Sequence, residues 1–148
     1  MLYKNEMKLK VKALSENESF CRACVASFCS ALIPSIEELS DIKTAVSEAV
    51  TNCVVHAYPN EKGFIDITVK MLGNLVYITI TDNGVGIADV EKAKEPFFTT
   101  IKTGERSGMG FAVMESFMDS VVVKSKLGKG VTVTMCKKIG SNACAIGG

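Results

Sequence analysis

Apolar and polar residues alternate near the start of the chain, where Met7, Leu9, Val11 and Ala13 are separated by Lys8, Lys10 and Lys12. A period of two sends successive side chains to opposite faces, so this spacing predicts a first strand with one wet face. The period then lengthens. Phe20, Cys24, Val25, Phe28 and Leu32 recur at helical spacing until Pro34, behind a Ser15 and Glu18 pair that reads as a capping box. A second such pair, Ser35 and Glu38, precedes a longer stripe of Ile36, Leu39, Ile42, Val46, Ala49, Val50, Cys53 and Val54, which predicts a second helix ending before Pro59. After a turn from Pro59 to Gly63, Ile65, Ile67, Val69 and Met71 alternate with Asp66, Thr68 and Lys70, and Gly73-Asn74 separates them from an apolar run, Leu75 to Thr81. Two strands joined as a hairpin are expected.

The second half is less regular. A glycine-punctuated stretch from Asp82 to Ile87 leads into a short helix near 89–94, and the polar segment from Pro96 to Ser107 lacks a period and reads as a mobile loop. Gly108 to Met118 is helical in pattern, Val121 to Val123 extended, Leu127 to Gly130 a turn, and Val131, Val133 and Met135 alternate as a last strand. Because the strands are wet on one side and the helices amphipathic, the expected fold is α/β, a two-layer sandwich with a mixed sheet and helices on one face. One domain over 1–148 is expected, with 141–148 a disordered tail.

Composition narrows the function classes. With 47% hydrophobic and 22% charged residues the chain is too apolar for global disorder, and seventeen Lys and Arg against sixteen Asp and Glu leave +1, no bulk case for nucleic acid or an anionic membrane. No run reaches the length of an apolar membrane span and no signal-like segment opens the chain, so a cytoplasmic protein is expected. Cys21 and Cys24 stand one helical turn apart, but no second pair of matching spacing follows. Buried thiols fit better than zinc.

Three groups could carry chemistry. Glu48, Asn52 and His56 stand at four-residue intervals on the second predicted helix. A carboxylate there could move a proton and an amide oxygen could ligate Mg²⁺, although a solvated helix edge would look the same. Asp82-Asn83-Gly84-Val85-Gly86 follows an apolar strand, which fits either a tight turn or backbone approaching a ligand. Ser107-Gly108-Met109-Gly110 opens a helix, where unpaired N–H groups and the helix dipole favour a phosphate. Neither the Walker nor the Rossmann glycine pattern occurs. Arg22, between the apolar turns of the first helix, is placed to clamp a partner's carboxylate.

The order of these elements is more specific than any one of them: E-x-x-x-N on a helix, D-x-G-x-G after a strand, Pro96-Phe97-Phe98-Thr99-Thr100 in a loop, G-M-G opening a helix, and Gly130-Val131-Thr132 before the last strand. This order resembles the GHKL ATP-binding family, which includes gyrase-type ATPases and histidine kinases and shares the Bergerat fold. Within that family, the segments from Ser47 to Asn52, Glu105 to Phe111, Asn5 to Met7 and Leu14 to Phe20 look like those of the anti-sigma kinases of spore-forming bacteria.

The resemblance implies a serine kinase that uses ATP and Mg²⁺ to phosphorylate an anti-anti-sigma factor, and that also sequesters sporulation sigma factor F as a homodimer. It makes Glu48 the general base and Asn52 the Mg²⁺ ligand. Asp82 would accept the adenine amino group, with Gly84 and Gly86 letting the base lie against backbone. Ser107, Gly108 and Gly110 would hold phosphates, with Met109, Thr99 and Thr100 also among the nucleotide-binding residues, Arg106 near the transferred group and Thr132 closing the adenine side. Where the family pattern runs F-T-T-K-P, this chain has Phe98-Thr99-Thr100-Ile101-Lys102, with the lysine one place later. A histidine kinase catalytic domain would lack the carboxylate at Glu48 and need a phospho-acceptor domain, and a gyrase-like ATPase would need further domains. A protein that binds sigma factor and uses ATP only as a conformational ligand is the rival from another class.

Overall fold

The computed structural model describes residues 3–57, 63–84, 109–126 and 130–140. The short helix expected near 89–94, the loop to Ser107, the turn before Gly130 and the tail after Gly140 lie outside these residues. Five strands and three α-helices occur among them: β1 (Lys4–Lys12), α1 (Glu18–Cys29), α2 (Ile36–Asn52), β2 (Phe64–Leu72), β3 (Leu75–Asp82), α3 (Met109–Phe117), β4 (Ser120–Lys126) and β5 (Gly130–Lys138).

The strands form one sheet in the order β1-β2-β3-β5-β4. Every neighbouring pair is antiparallel, with Ile67 opposite Leu9 and Ile80, and Ile80 opposite Val133. This corrects the expectation of a mixed sheet, and the reason is topological. β3 and β4, linked through α3, do run the same way, but β5 inserts between them and is antiparallel to both. The alternation works as read from the sequence. Ile65, Ile67, Val69 and Met71 of β2 and Val76, Ile78 and Ile80 of β3 are buried on one face, where Ile42, Val46 and Val50 of α2 and Met114 of α3 meet them. α2 packs between α1 and α3, giving two layers with the helices on one face and a single apolar core between.

Local signals held unevenly. At α2 the capping box is complete, the Glu38 N–H donating to Ser35 Oγ at 3.0 Å and the Ser35 N–H to Glu38 Oε1 at 2.9 Å. No such box forms at Ser15 and Glu18. Ser15–Asn17 is a 3-10 turn that runs directly into α1, so Asn17 is already helical and the extended backbone a box requires is missing. Ile36, expected on the apolar stripe, is 91% exposed because it stands in the first turn, ahead of the part of α2 that meets the sheet. The Gly73-Asn74 hairpin is present, with Gly73 at φ 62°. Cys21 and Cys29 are fully buried in the core, and burial pushes their thiols up to about 11 and about 12. Among the described residues, no helix is long and apolar enough to cross a membrane.

Candidate functional site

The last turn of α2, the end of β3, the start of β5 and the first turn of α3 meet at one end of the sheet. The strand period puts Asp82 on the helix-covered face in line with Val76, Ile78 and Ile80, and only 4% of it is exposed. A carboxylate at that depth needs donors. Its Oδ1 accepts the Gly84 N–H at 2.9 Å and the Val131 N–H at 3.3 Å, and its Oδ2 accepts the Cys53 thiol at 3.5 Å. Burial raises the Asp82 pKa above the ordinary carboxylate value, against the pull of these three hydrogen bonds. The neighbouring thiol is pushed well above its usual range by burial and by the negative charge of Asp82.

Gly130 makes this corner physically possible. Its φ is +87°, and a Cβ there would stand 2.0 Å from the Asp82 carbonyl oxygen, so only glycine lets β5 start this close to the end of β3.

Glu48 and Asn52 lie one turn apart on α2, as their spacing predicts. α3 crosses directly over them. A Cβ on Gly110 would meet Asn52 Nδ2 at 3.0 Å, Asn52 Oδ1 at 3.1 Å and Glu48 Oε2 at 3.3 Å. The missing side chain therefore brings the first described turn of α3 against an amide and a carboxylate. Because Cys53 follows Asn52 in the chain, Glu48, Asn52, Gly110 and Asp82 form one continuous site. The four-residue spacing stops there: from Cys53 to Ala57 the backbone winds as a π-helix, so the α-helical register does not carry on to His56.

Other expected residues fall differently. Thr132 stands opposite Thr81, their hydroxyls 3.4 Å apart, on the sheet face away from Asp82. The structure does not bring it to the carboxylate; the nearer contributions of that segment are the Gly130 backbone and the Val131 N–H. Arg22 is half-buried and engaged within the chain, its Nη1 3.2 Å from Glu18 Oε2 and 3.2 Å from Ser47 Oγ, beside Glu48. It joins α1 to α2. Gly86, Thr99, Thr100, Arg106, Ser107 and Gly108 lie outside the described residues, and of Met109 the backbone opens α3. Sequence reasoning missed Cys53 and Val131. An apolar-looking residue next to Asn52 gave no sign of its polar contact, and a backbone donor has no signature in side-chain chemistry.

Comparison with known proteins identifies the family. The family profile of the histidine kinase-like ATPase domain matches residues 11–137. An anti-sigma F factor of Caldanaerobacter subterraneus subsp. tengcongensis is 55% identical over 142 residues, covering 96% of this chain and 99% of that one. One from Geobacillus thermodenitrificans is 52% identical over 137 residues, covering 92% and 94%. Among solved structures, the RsbU and RsbW domains of a Mycobacterium tuberculosis protein superpose with a TM-score of 0.67 at 19% identity, over 91% of this chain and 32% of that chain. The catalytic domain of the histidine kinase ThkA superposes with a TM-score of 0.57 at 16% identity, over 91% and 96%. The fold, the family profile and relatives matched along nearly their full length agree, and the chain belongs to the histidine kinase-like ATPase family and, within it, to the anti-sigma F factors.

Proposed function

We propose that the chain acts as a single-domain, cytoplasmic protein serine kinase that transfers the γ-phosphoryl group of ATP to an anti-anti-sigma factor, and that as a homodimer it holds sporulation sigma factor F. The observation that supports this reading is the close approach of Gly110, in the first described turn of α3, to both Asn52 and Glu48, whose side-chain atoms would stand 3.0 to 3.3 Å from a Cβ placed there. An amide oxygen and a carboxylate are parts phosphoryl transfer asks for: a metal ligand and a proton acceptor.

In this reading Asp82 accepts the adenine amino group, and the first turn of α3 faces the phosphates. The Asn52 amide oxygen is a hard donor that suits Mg²⁺, an ion that keeps waters and takes its other ligands from phosphate. Bound there, the ion neutralises charge on the phosphates. Glu48 takes the proton from the partner's serine hydroxyl as that oxygen bonds to the γ-phosphorus and the bond to the ADP oxygen breaks. Gly84, Gly86, Thr99, Thr100, Ser107, Gly108 and Met109 complete the nucleotide site, Arg106 lies near the transferred group, and Arg22 with Glu18 forms part of the surface for a protein partner.

Incubation with the anti-anti-sigma protein and Mg-ATP, read by mass, tests the proposal. One added phosphate on serine is expected. Glu48→Gln should bind Mg-ATP normally, keep its hold on sigma factor and transfer about 100-fold to 10,000-fold more slowly, the usual worth of a general base. Single-turnover transfer within about threefold of wild type would remove Glu48 from that role. No phosphoserine at all, with binding of sigma factor still ATP-dependent, would favour ATP as a conformational ligand only.

A further inference from the structure

Among the described residues three donors converge on the Asp82 carboxylate, and only Cys53 contributes a side chain. A carboxylate offers about four acceptor positions. The Gly84 and Val131 N–H groups occupy two on Oδ1 and the Cys53 thiol occupies one on Oδ2, leaving one on Oδ2. We propose that Cys53 is a positioning residue for base recognition: its S–H fixes the plane of the Asp82 carboxylate so that the remaining Oδ2 position faces an exocyclic amino group. The inference rests on Asp82 being the base-reading carboxylate.

Several features fit such a role. A carboxylate torsion is broad and roughly two-fold, so two contacts to a single oxygen restrain it less than contacts to both. The thiol is buried at 5% exposure and lies 3.5 Å from Asp82 Oδ2, a contact to the oxygen that the two backbone donors leave untouched. Cys53 also begins the π-helical turn that follows Asn52, so one short segment of backbone sets both the amide and the partner of the carboxylate. An ionised carboxylate only accepts, and therefore favours a purine with a 6-amino group over one with a 6-oxo group. Releasing Oδ2 lets the carboxylate turn and weakens that preference.

The test is calorimetric binding of Mg-ATP and of the magnesium salt of inosine triphosphate, which carries oxygen where ATP carries the amino group. Wild type, Cys53→Ser, Cys53→Ala, Cys53→Val and Asp82→Asn are compared as full chains. Cys53→Ala and Cys53→Val should lower the preference for ATP by about fivefold to tenfold, the worth of one hydrogen bond. Cys53→Ser, which keeps a donor, should restore it to within about threefold. A merely structural role would shift melting temperature without moving this ratio, and the valine variant keeps the test decisive if alanine disturbs folding. An unchanged ratio in both apolar variants, with Asp82→Asn losing it, overturns the role of Cys53 and leaves Asp82 as the base reader. An unchanged ratio in Asp82→Asn overturns the base-reading assignment, and the inference with it.

Discussion

Asp82 and Lys137 are the two buried acidic or basic side chains among the described residues, 4% and 8% exposed, on the helix-covered faces of adjacent strands. They are treated in opposite ways. Lys137 is matched with charge: its Nζ lies 3.3 Å from Asp41 Oδ2 on α2 and donates to the Phe117 carbonyl at the end of α3 at 2.8 Å. Asp82 has only uncharged donors among the described residues. Since Asp82 pairs with Val131 and Lys137 with Val76, the two stand six residues apart along the strands, or about 20 Å. One end of the molecule pairs its buried charge with an opposite charge and the other holds it on uncharged donors. The same helix reaches both, because α3 passes Asn52 at Gly110 and ends where Lys137 caps it.

The strongest way to break this contrast is to remove the counter-charge. Asp41→Ala leaves Lys137 buried with one carbonyl partner, and should lower unfolding free energy by about 3 kcal/mol in denaturant titrations. Nucleotide affinity, measured where the variant is fully folded, should stay at the wild-type value. A parallel loss of affinity would mean that the two ends are coupled through α3.

Asp82→Asn acts at the other end and should have the opposite profile. ATP affinity should fall by about 1 to 3 kcal/mol, because a donor on the base loses its acceptor. Stability should respond to pH in a defined direction. The folded-state pKa of Asp82 lies above the ordinary 3.8, so as pH rises the unfolded chain ionises first and wild type loses stability until the folded-state pKa is passed. Relative to wild type, Asp82→Asn should therefore gain stability as pH increases from about 4 and level off above that window. Denaturation curves at a series of pH values check it, and a flat difference would contradict the raised pKa.

Glu38 sharpens the contrast with the smallest expected effect. Burial raises its pKa, but the Ser35 and Gly140 N–H groups, the Ser35 hydroxyl and Lys137 outweigh burial, and the net shift is downward from the ordinary 4.5. Its stabilising contribution is thus complete above 4.5 and is lost as pH falls through the lower folded-state value, the reverse of Asp82. Glu38→Gln should cost less than about 1 kcal/mol at neutral pH and nothing in strong acid, as exposed caps and charges do.

What the sequence disclosed follows from the range of each interaction. The Gly73-Asn74 hairpin, the capping box at Ser35 and the pairing of Glu48 with Asn52 depend on residues within four positions of each other, and all three are in the structure. The box expected at Ser15 is local too, yet the backbone entering α1 is already helical there, a feature of conformation and not of residue type. Contacts across the fold were silent. Asp82 receives the Cys53 thiol over 29 positions and the Val131 N–H over 49, while Glu38 receives the Gly140 N–H over 102. Lys137 falls on the inward parity of Val133 and Met135, but nothing near it in the chain announces Asp41, the carboxylate on α2 that pairs with a lysine there.

The strand order has a consequence for how the protein is made. β5, the last described strand, inserts between β3 and β4, so while the ribosome is still adding residues before Gly130, β4 has no neighbour to pair with and Asp82 lacks the Val131 donor. Long-range pairings of this kind form late and slowly. The growing chain thus carries an unfinished corner around Asp82 until β5 emerges, and the buried carboxylate gains its full set of donors only when the sheet beside it is whole.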